Sequence, residues 1–188
     1  ISAMLLAGVA INALAIACIG LLSYVSTDMQ LRSVTFWALG SLGGSDWNGV
    51  LVASGIPFVI LLLFLERTRL NAITLGDQEA NYLGISVSAL RVRVVLLTAL
   101  AVSIGVALTG VIAFVGLVVP HLIRLTMGSS HQIVIPASAL LGGILLLIAD
   151  TLSRTLFAPA EVPVGILTAL IGGPFFIVLI MRQKGKLG

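Results

Sequence analysis

Polar residues punctuate this chain so sparsely that the apolar runs between them set its architecture. A helix that crosses a bilayer needs about 20 apolar residues, within a range of about 17–25. Residues 3–25 form one such run, and residues 50–65 form a shorter one with Pro57 inside it. The next run, 92–125, is too long for one crossing. As a straight helix it would measure about 51 Å at about 1.5 Å per residue, against a hydrocarbon core of about 30 Å. Gly105, Gly110 and Gly116 interrupt it and Pro120 follows, so the pattern predicts two short helices, 92–108 and 114–125. Residues 136–156 are the next span. Pro136 opens it, at a position where a missing N–H costs little. Residues 164–181 are the last. The pattern predicts an all-α polytopic membrane protein with about six transmembrane helices.

The polar stretches predict shorter elements. In 26–48, Met29 to Leu39 reads as a short helix at or dipping into the membrane, broken by Gly40-Ser41-Leu42-Gly43-Gly44. Two readings fit it: Trp37 and Trp47 as an aromatic belt at headgroup depth, or a re-entrant helix beside a water-filled pathway. Residues 66–91 are the most polar segment. There 75–84 reads as one short helix, with Asp77 and Glu79 near its positive end and Gly84 as its stop. Residues 86–90 read as a second, with Ser86 as its cap. The pair is either a solvated connector or a docking knob for a soluble partner.

Charge orients the chain. Two crossings within 92–125 put Arg67, Arg69, Arg91, Arg93, Arg124, Arg182, Lys184 and Lys186 on one side and Arg32 and Arg154 on the other. A single crossing leaves five on each side and no bias. Cytoplasmic loops are enriched in Lys and Arg, so the split predicts six crossings with both ends inside. The chain is 59% hydrophobic and 9% charged, whereas soluble domains carry about 25% charged residues. That composition excludes a soluble enzyme, a disordered chain and a nucleic-acid-binding domain. Cys18 stands alone, in an apolar run.

Ionisable groups in the spans are few, and such groups are functional candidates. Asp150 and Arg154 lie four residues apart on one helix face and can pair, either as a helix-end ion pair or as part of a site. Glu161 follows between Pro159 and Pro163. Asn12 and Thr109 read as interhelical hydrogen-bond formers, and His121, after Pro120 at a helix break, as a structural donor without a second His or Cys to complete a metal site. The sequence holds no G-x-x-x-x-G-K-[ST] phosphate loop and no nucleophile–base pairing. A chain that crosses repeatedly without an energy source reads as a transport unit driven by another chain. A membrane scaffold and a channel are the other classes.

Specific segments narrow this. Residues 110–125 read Gly-Val-Ile-Ala-Phe-Val-Gly-Leu-Val-Val-Pro-His-Leu-Ile-Arg-Leu, and 159–176 read Pro-Ala-Glu-Val-Pro-Val-Gly-Ile-Leu-Thr-Ala-Leu-Ile-Gly-Gly-Pro-Phe-Phe. With Leu140-Leu141-Gly142-Gly143, Ala149-Asp150-Thr151-Leu152-Ser153-Arg154, the loop 75–84 and the opening 5–12, they resemble the FecCD family, the iron-chelate and vitamin B12 permeases of binding-protein-dependent ABC transporters. The resemblance covers essentially the whole chain. It implies a ten-helix permease fold built as inverted repeats, of which residues 1–188 would be one transmembrane domain holding spans five to ten, with its N-terminal half missing and the loop 66–91 cytoplasmic.

The resemblance also implies roles. Asp77, Glu79, Ala80, Leu83, Gly84, Ile85 and Leu90 lie in the segment matching coupling helices that dock in a groove of an ATPase subunit. Arg154, held by Asp150, matches a residue that meets the substrate-binding protein. Ile1 and Ser2 match the cytoplasmic gate, and Phe36 and Trp37 a short helix at the external mouth. The implied assembly is a permease homodimer with two ATP-binding subunits, which bind ATP and Mg, and an extracytoplasmic binding protein, in the bacterial inner membrane. No cofactor or metal in this chain and no nucleic-acid partner is implied. Segments 5–12 and 76–84 look most like haem importers, with ferric siderophore and then cobalamin as the alternatives.

Overall fold

The computed structural model describes residues 2–156 and 162–184, and the regular elements among them are helices. They divide into two compact units, 1–38 and 39–188. In the first, α1 (Ser2–Val25) has 24 residues, about 36 Å of helix, enough to cross a bilayer. It is followed by α2 (Asp28–Leu39), where a short helix is expected from Met29. The N–H of Thr27 donates to Gln30 Oε1 at 3.0 Å, the backward half of a capping box. Among the described residues of α1 and α2, none is fully buried.

In the second unit the run expected at 50–65 is two helices, α3 (Trp47–Ala53) and α4 (Gly55–Leu65), which together make a 19-residue apolar span. Asp46 caps α3, its Oδ1 accepting from the Gly49 N–H at 2.7 Å. The break at Ser54 follows from Pro57, which has no N–H for the Ala53 carbonyl and whose ring crowds it. At 57 the proline sits in the first turn of α4, where it costs no bond.

The polar loop holds α5 (Arg67–Ile73) and α6 (Asp77–Tyr82). Residues 86–90 do not form a separate helix. They are the first turn of α7 (Val87–Thr109), which runs unbroken for 23 residues. Gly105 stays inside it, and the helix stops at Gly110, whose φ of 71° ends the right-handed path. The expected second helix of this pair is α8 (Val115–Met127). Two proline expectations are corrected. Pro120 lies within α8, not at a break, because the chain has already turned at Gly110 and Phe114. Pro136 lies within α9 (His131–Thr155), not at its start. Asn71 Oδ1 accepts the His131 N–H at 2.8 Å, so the helix can begin five residues earlier. The last helix is α10 (Val164–Lys184).

Among the described residues four helical segments are long and apolar enough to cross a membrane, and α8 and Val164–Ile177 of α10 are shorter apolar helices. Their directions follow from what meets at each end of the second unit. At one end the Ser41 N–H donates to the Thr109 carbonyl at 2.8 Å, and the Gly165 N–H to the Gly40 carbonyl at 3.3 Å. At the other, Glu66 pairs with Arg93, and Asn71 holds Ser130 and His131. The passes α3–α4, α7, α8, α9 and α10 therefore alternate. Val59, Val118, Val119, Ile123, Val134, Ala149 and Val164 are buried where these helices pack. Arg67, Arg69, Arg91, Arg93 and Arg124 gather at the Glu66 end, which matches the charge split read from the sequence.

Candidate functional site

At the arginine-rich end α6 is held as a projecting knob. Its carboxyl-terminal end is a Schellman turn: the Ile85 N–H donates to the Ala80 carbonyl at 3.0 Å and the Gly84 N–H to the Asn81 carbonyl at 2.9 Å. Gly84 supplies the left-handed residue this turn needs, with φ 78°. Ala80 is fully buried and Leu90 is 3% exposed, so both anchor the knob from within. Asp77 fixes its other end. Arg91 Nη2 donates to both carboxylate oxygens of Asp77, at 2.7 and 2.6 Å, tying α6 to α7. Glu79 is exposed, and its carboxylate folds back over Gly76. Leu75, Tyr82 and Leu83 are left facing outward. No pattern in the sequence marks Tyr82, because a six-residue helix is too short to show a face by periodicity.

Beneath the knob lies a network absent from the sequence expectations. Glu66 is 7% exposed. Its Oε2 accepts from Arg69 Nη1 at 2.8 Å and its Oε1 accepts a close bond from Arg93 Nη1. The Arg93 bond holds the Glu66 carboxyl below its ordinary range, against the opposing pull of burial and with further help from Arg69. Arg69 is three residues from Glu66, but Arg93 is 27 residues away, so no local pattern reports the network.

At the opposite end Asp150 and Arg154 form the expected pair, with Nε to Oδ2 at 2.9 Å. Asp150 is the more buried partner. Phe36 and Trp37 on α2 are both exposed. Ser2 is the first residue of α1, whereas Ile1, Pro159 and Glu161 lie outside the described residues.

Between α8, α9 and α10 is an apolar cavity of about 240 Å³, lined by Phe114, Val118, Ile144, Ile148, Thr168 and Gly172 among others. Thr168 turns its hydroxyl inward to the Gly165 carbonyl, at 3.1 Å. Phe114 has φ 67° without being glycine, a conformation that costs about 1–3 kcal/mol and tends to occur at functional positions. It packs so closely on Gly172 that a side chain there would collide with it. His121 does not find the partner expected of a structural donor: among the described residues its Nε2 is buried without one. No group of three or more His, Cys, Asp or Glu that could hold a metal exists among the described residues.

The FecCD transport family matches residues 1–182 of the chain. The hemin transport system permease protein HmuU of Yersinia pestis is 53% identical over 183 residues, which is 96% of this chain and 54% of that protein. The vitamin B12 import system permease protein BtuC of Vibrio vulnificus is 40% identical over 182 residues, 97% of this chain and 55% of that one. A solved metal-chelate type ABC transporter in an inward-facing conformation superposes with a TM-score of 0.87 at 37% identity, covering 93% of this chain and 57% of that chain. The chain spans about half the length of the curated relatives it matches.

Proposed function

The chain belongs to the FecCD transport family, and we propose from that premise that it serves as membrane permease in an ATP-driven, binding-protein-dependent importer of haem or another iron chelate. It is a multi-pass membrane protein of the inner-membrane permease type. The α6 knob carries the proposal. A six-residue helix is too short to hold itself together in water. Here a Schellman turn, a buried alanine and the Asp77–Arg91 bond hold it rigidly on α7 with apolar side chains outward, as a lever that receives force from a soluble subunit must be.

In this reading two permease chains form one pathway. A binding protein meets the outer face through Arg154, positioned by Asp150. Closure of two ATP-binding subunits pushes on Leu83, Glu79 and their neighbours, and the rigid link through Arg91 passes that motion into the span of α7. Outer and inner openings exchange as the helices tilt. Ile1 and Ser2 at the gate, and Phe36 and Trp37 at the mouth, keep the roles their resemblance implies. Haem is the favoured cargo because the HmuU relative is 53% identical. The 40% identity to BtuC supports cobalamin as the second reading. Reconstitution of the full-length protein with its ATPase and binding protein tests this. ATP-dependent uptake of haem above that of a ferric siderophore or cobalamin is expected. Failure to recruit any ATPase overturns the importer reading.

A further inference from the structure

We propose that the cleft at the foot of α7 binds the phosphodiester of an anionic phospholipid from the adjacent leaflet. The cleft holds about 230 Å³, with polar and apolar walls in similar measure, and is lined by Arg69, Ile85, Ser86, Ala89, Leu90 and Arg93. Both arginines are held in place by one buried carboxylate, Glu66, and each spends only Nη1 on it. Among the described residues no protein acceptor takes their remaining N–H groups. Two guanidinium groups against one carboxylate leave the cleft cationic. The first turn of α7 adds to this. Ser86 makes no side-chain cap bond, and among the described residues no acceptor takes the Val87, Ser88 and Ala89 N–H groups; a helix start of this kind favours an anion.

Depth selects the occupant. In α7 the unbroken uncharged stretch begins at Val94, so Arg93 stands at the edge of the hydrocarbon. From Val87 to Arg93 is about 9 Å of helix. A lipid phosphate already lies at that depth, whereas a carboxylate on a soluble subunit must climb to it. The mixed walls fit a phosphate with its glycerol and the top of an acyl chain. Guanidinium forks suit phosphate oxygens in particular.

The test uses the full-length protein, delipidated in neutral detergent, with phosphatidylglycerol and phosphatidylcholine as probes and native mass spectrometry as the readout. No ATPase or cargo is needed, so the outcome is independent of the importer reading. Phosphatidylglycerol should be retained in preference to phosphatidylcholine. Ala89→Glu places a carboxylate in the cleft while leaving every residue of the Glu66 network in place, and by competing for Arg69 and Arg93 it should weaken retention about tenfold or more, the effect of losing a charge-assisted contact. Arg69→Gln/Arg93→Gln should do the same. Arg67→Gln should not, since Arg67 stacks on Phe64 outside the cleft. Equal retention of the two lipids, or full retention by Ala89→Glu, overturns the proposal. Displacement of phosphatidylglycerol by millimolar inorganic phosphate overturns the lipid source and leaves a free anion as the ligand.

Discussion

One nitrogen of Arg91 holds both carboxylate oxygens of Asp77, so α6 is fastened to a helix that runs the depth of the membrane. Both side chains are more than a third exposed, and exposed pairs contribute only about 0.2–1 kcal/mol. The bond's worth is geometric. Asp77→Asn and Arg91→Gln should therefore shift the melting temperature by no more than a few degrees while lowering uptake several-fold at near-normal ATPase activity. Uptake and hydrolysis measured on the same proteoliposomes check this. Unchanged uptake in both variants would remove the lever role.

Glu66 makes a different prediction, about pH. Its carboxyl titrates below the ordinary value of 4.5 in the folded protein, chiefly through the Arg93 bond. A depressed carboxylate stabilises the fold fully above its unfolded pKa, and the contribution is lost as pH falls through the folded one. Thermal stability should decline on acidification below about 4.5, and Glu66→Gln should flatten that decline. At neutral pH the variant should be less stable by about 1.5–3 kcal/mol, the value of hydrogen bonds to a charged group. A melting series from neutral to acid pH on both proteins decides it.

The alternation of helix directions and the arginine split make a topological prediction. Ser129 and Thr27 are exposed and fall in opposite loops under six crossings. In a Cys18→Ser background, Thr27→Cys should react with an impermeant maleimide added outside intact cells. Ser129→Cys should react only after the membrane is opened. Labelling of position 129 from outside reverses the assignment of the knob to the cytoplasm.

Much of this fold is written locally, and the exceptions are instructive. Gly84 as a stop, the Asp150–Arg154 pair and the split of 92–125 into two helices depend on residues within a few positions of one another, and the structure shows each. The start of α9 is not local. Pro136 looks like its boundary, yet the helix begins five residues earlier, where the long-range bond from Asn71 holds His131. Glu66 illustrates the same rule within the site: Arg69 lies three residues away, but Arg93 becomes a neighbour only once α4 and α7 have packed. The coupling roles proposed for Asp77, Glu79 and Leu83 rest on the resemblance, since a short polar helix alone fits a connector as well as a knob.

Arg154 is proposed to meet the binding protein, with Asp150 fixing its guanidinium at 2.9 Å. Arg154→Glu should slow association of the binding protein and reduce its salt dependence, as expected of a rim charge. Asp150→Asn should give a smaller loss, because it removes one anchor of the guanidinium without reversing its charge. Association kinetics at two ionic strengths distinguish these. Indifference to Arg154→Glu removes the docking role.

Phe114 and Gly172 give the sharpest test of packing. Phe114 keeps φ at 67°, and a Cβ built on Gly172 meets the Phe114 Cβ first and its Cγ at 2.7 Å. Gly172→Ala should therefore destabilise the α8–α10 contact by about 1–3 kcal/mol through overpacking. Trimming the ring does not cure this, since Phe114→Ala keeps the Cβ that is struck and the unfavourable φ. Phe114→Gly removes both. It should restore much of the loss in the Gly172→Ala background, although it empties part of the apolar cavity. The order of stability, with Phe114→Gly/Gly172→Ala above Phe114→Ala/Gly172→Ala, is opposite to what loss of buried apolar area alone predicts. A double-mutant cycle read by thermal melting measures it, and the reverse order would mean that the helices shift apart without cost.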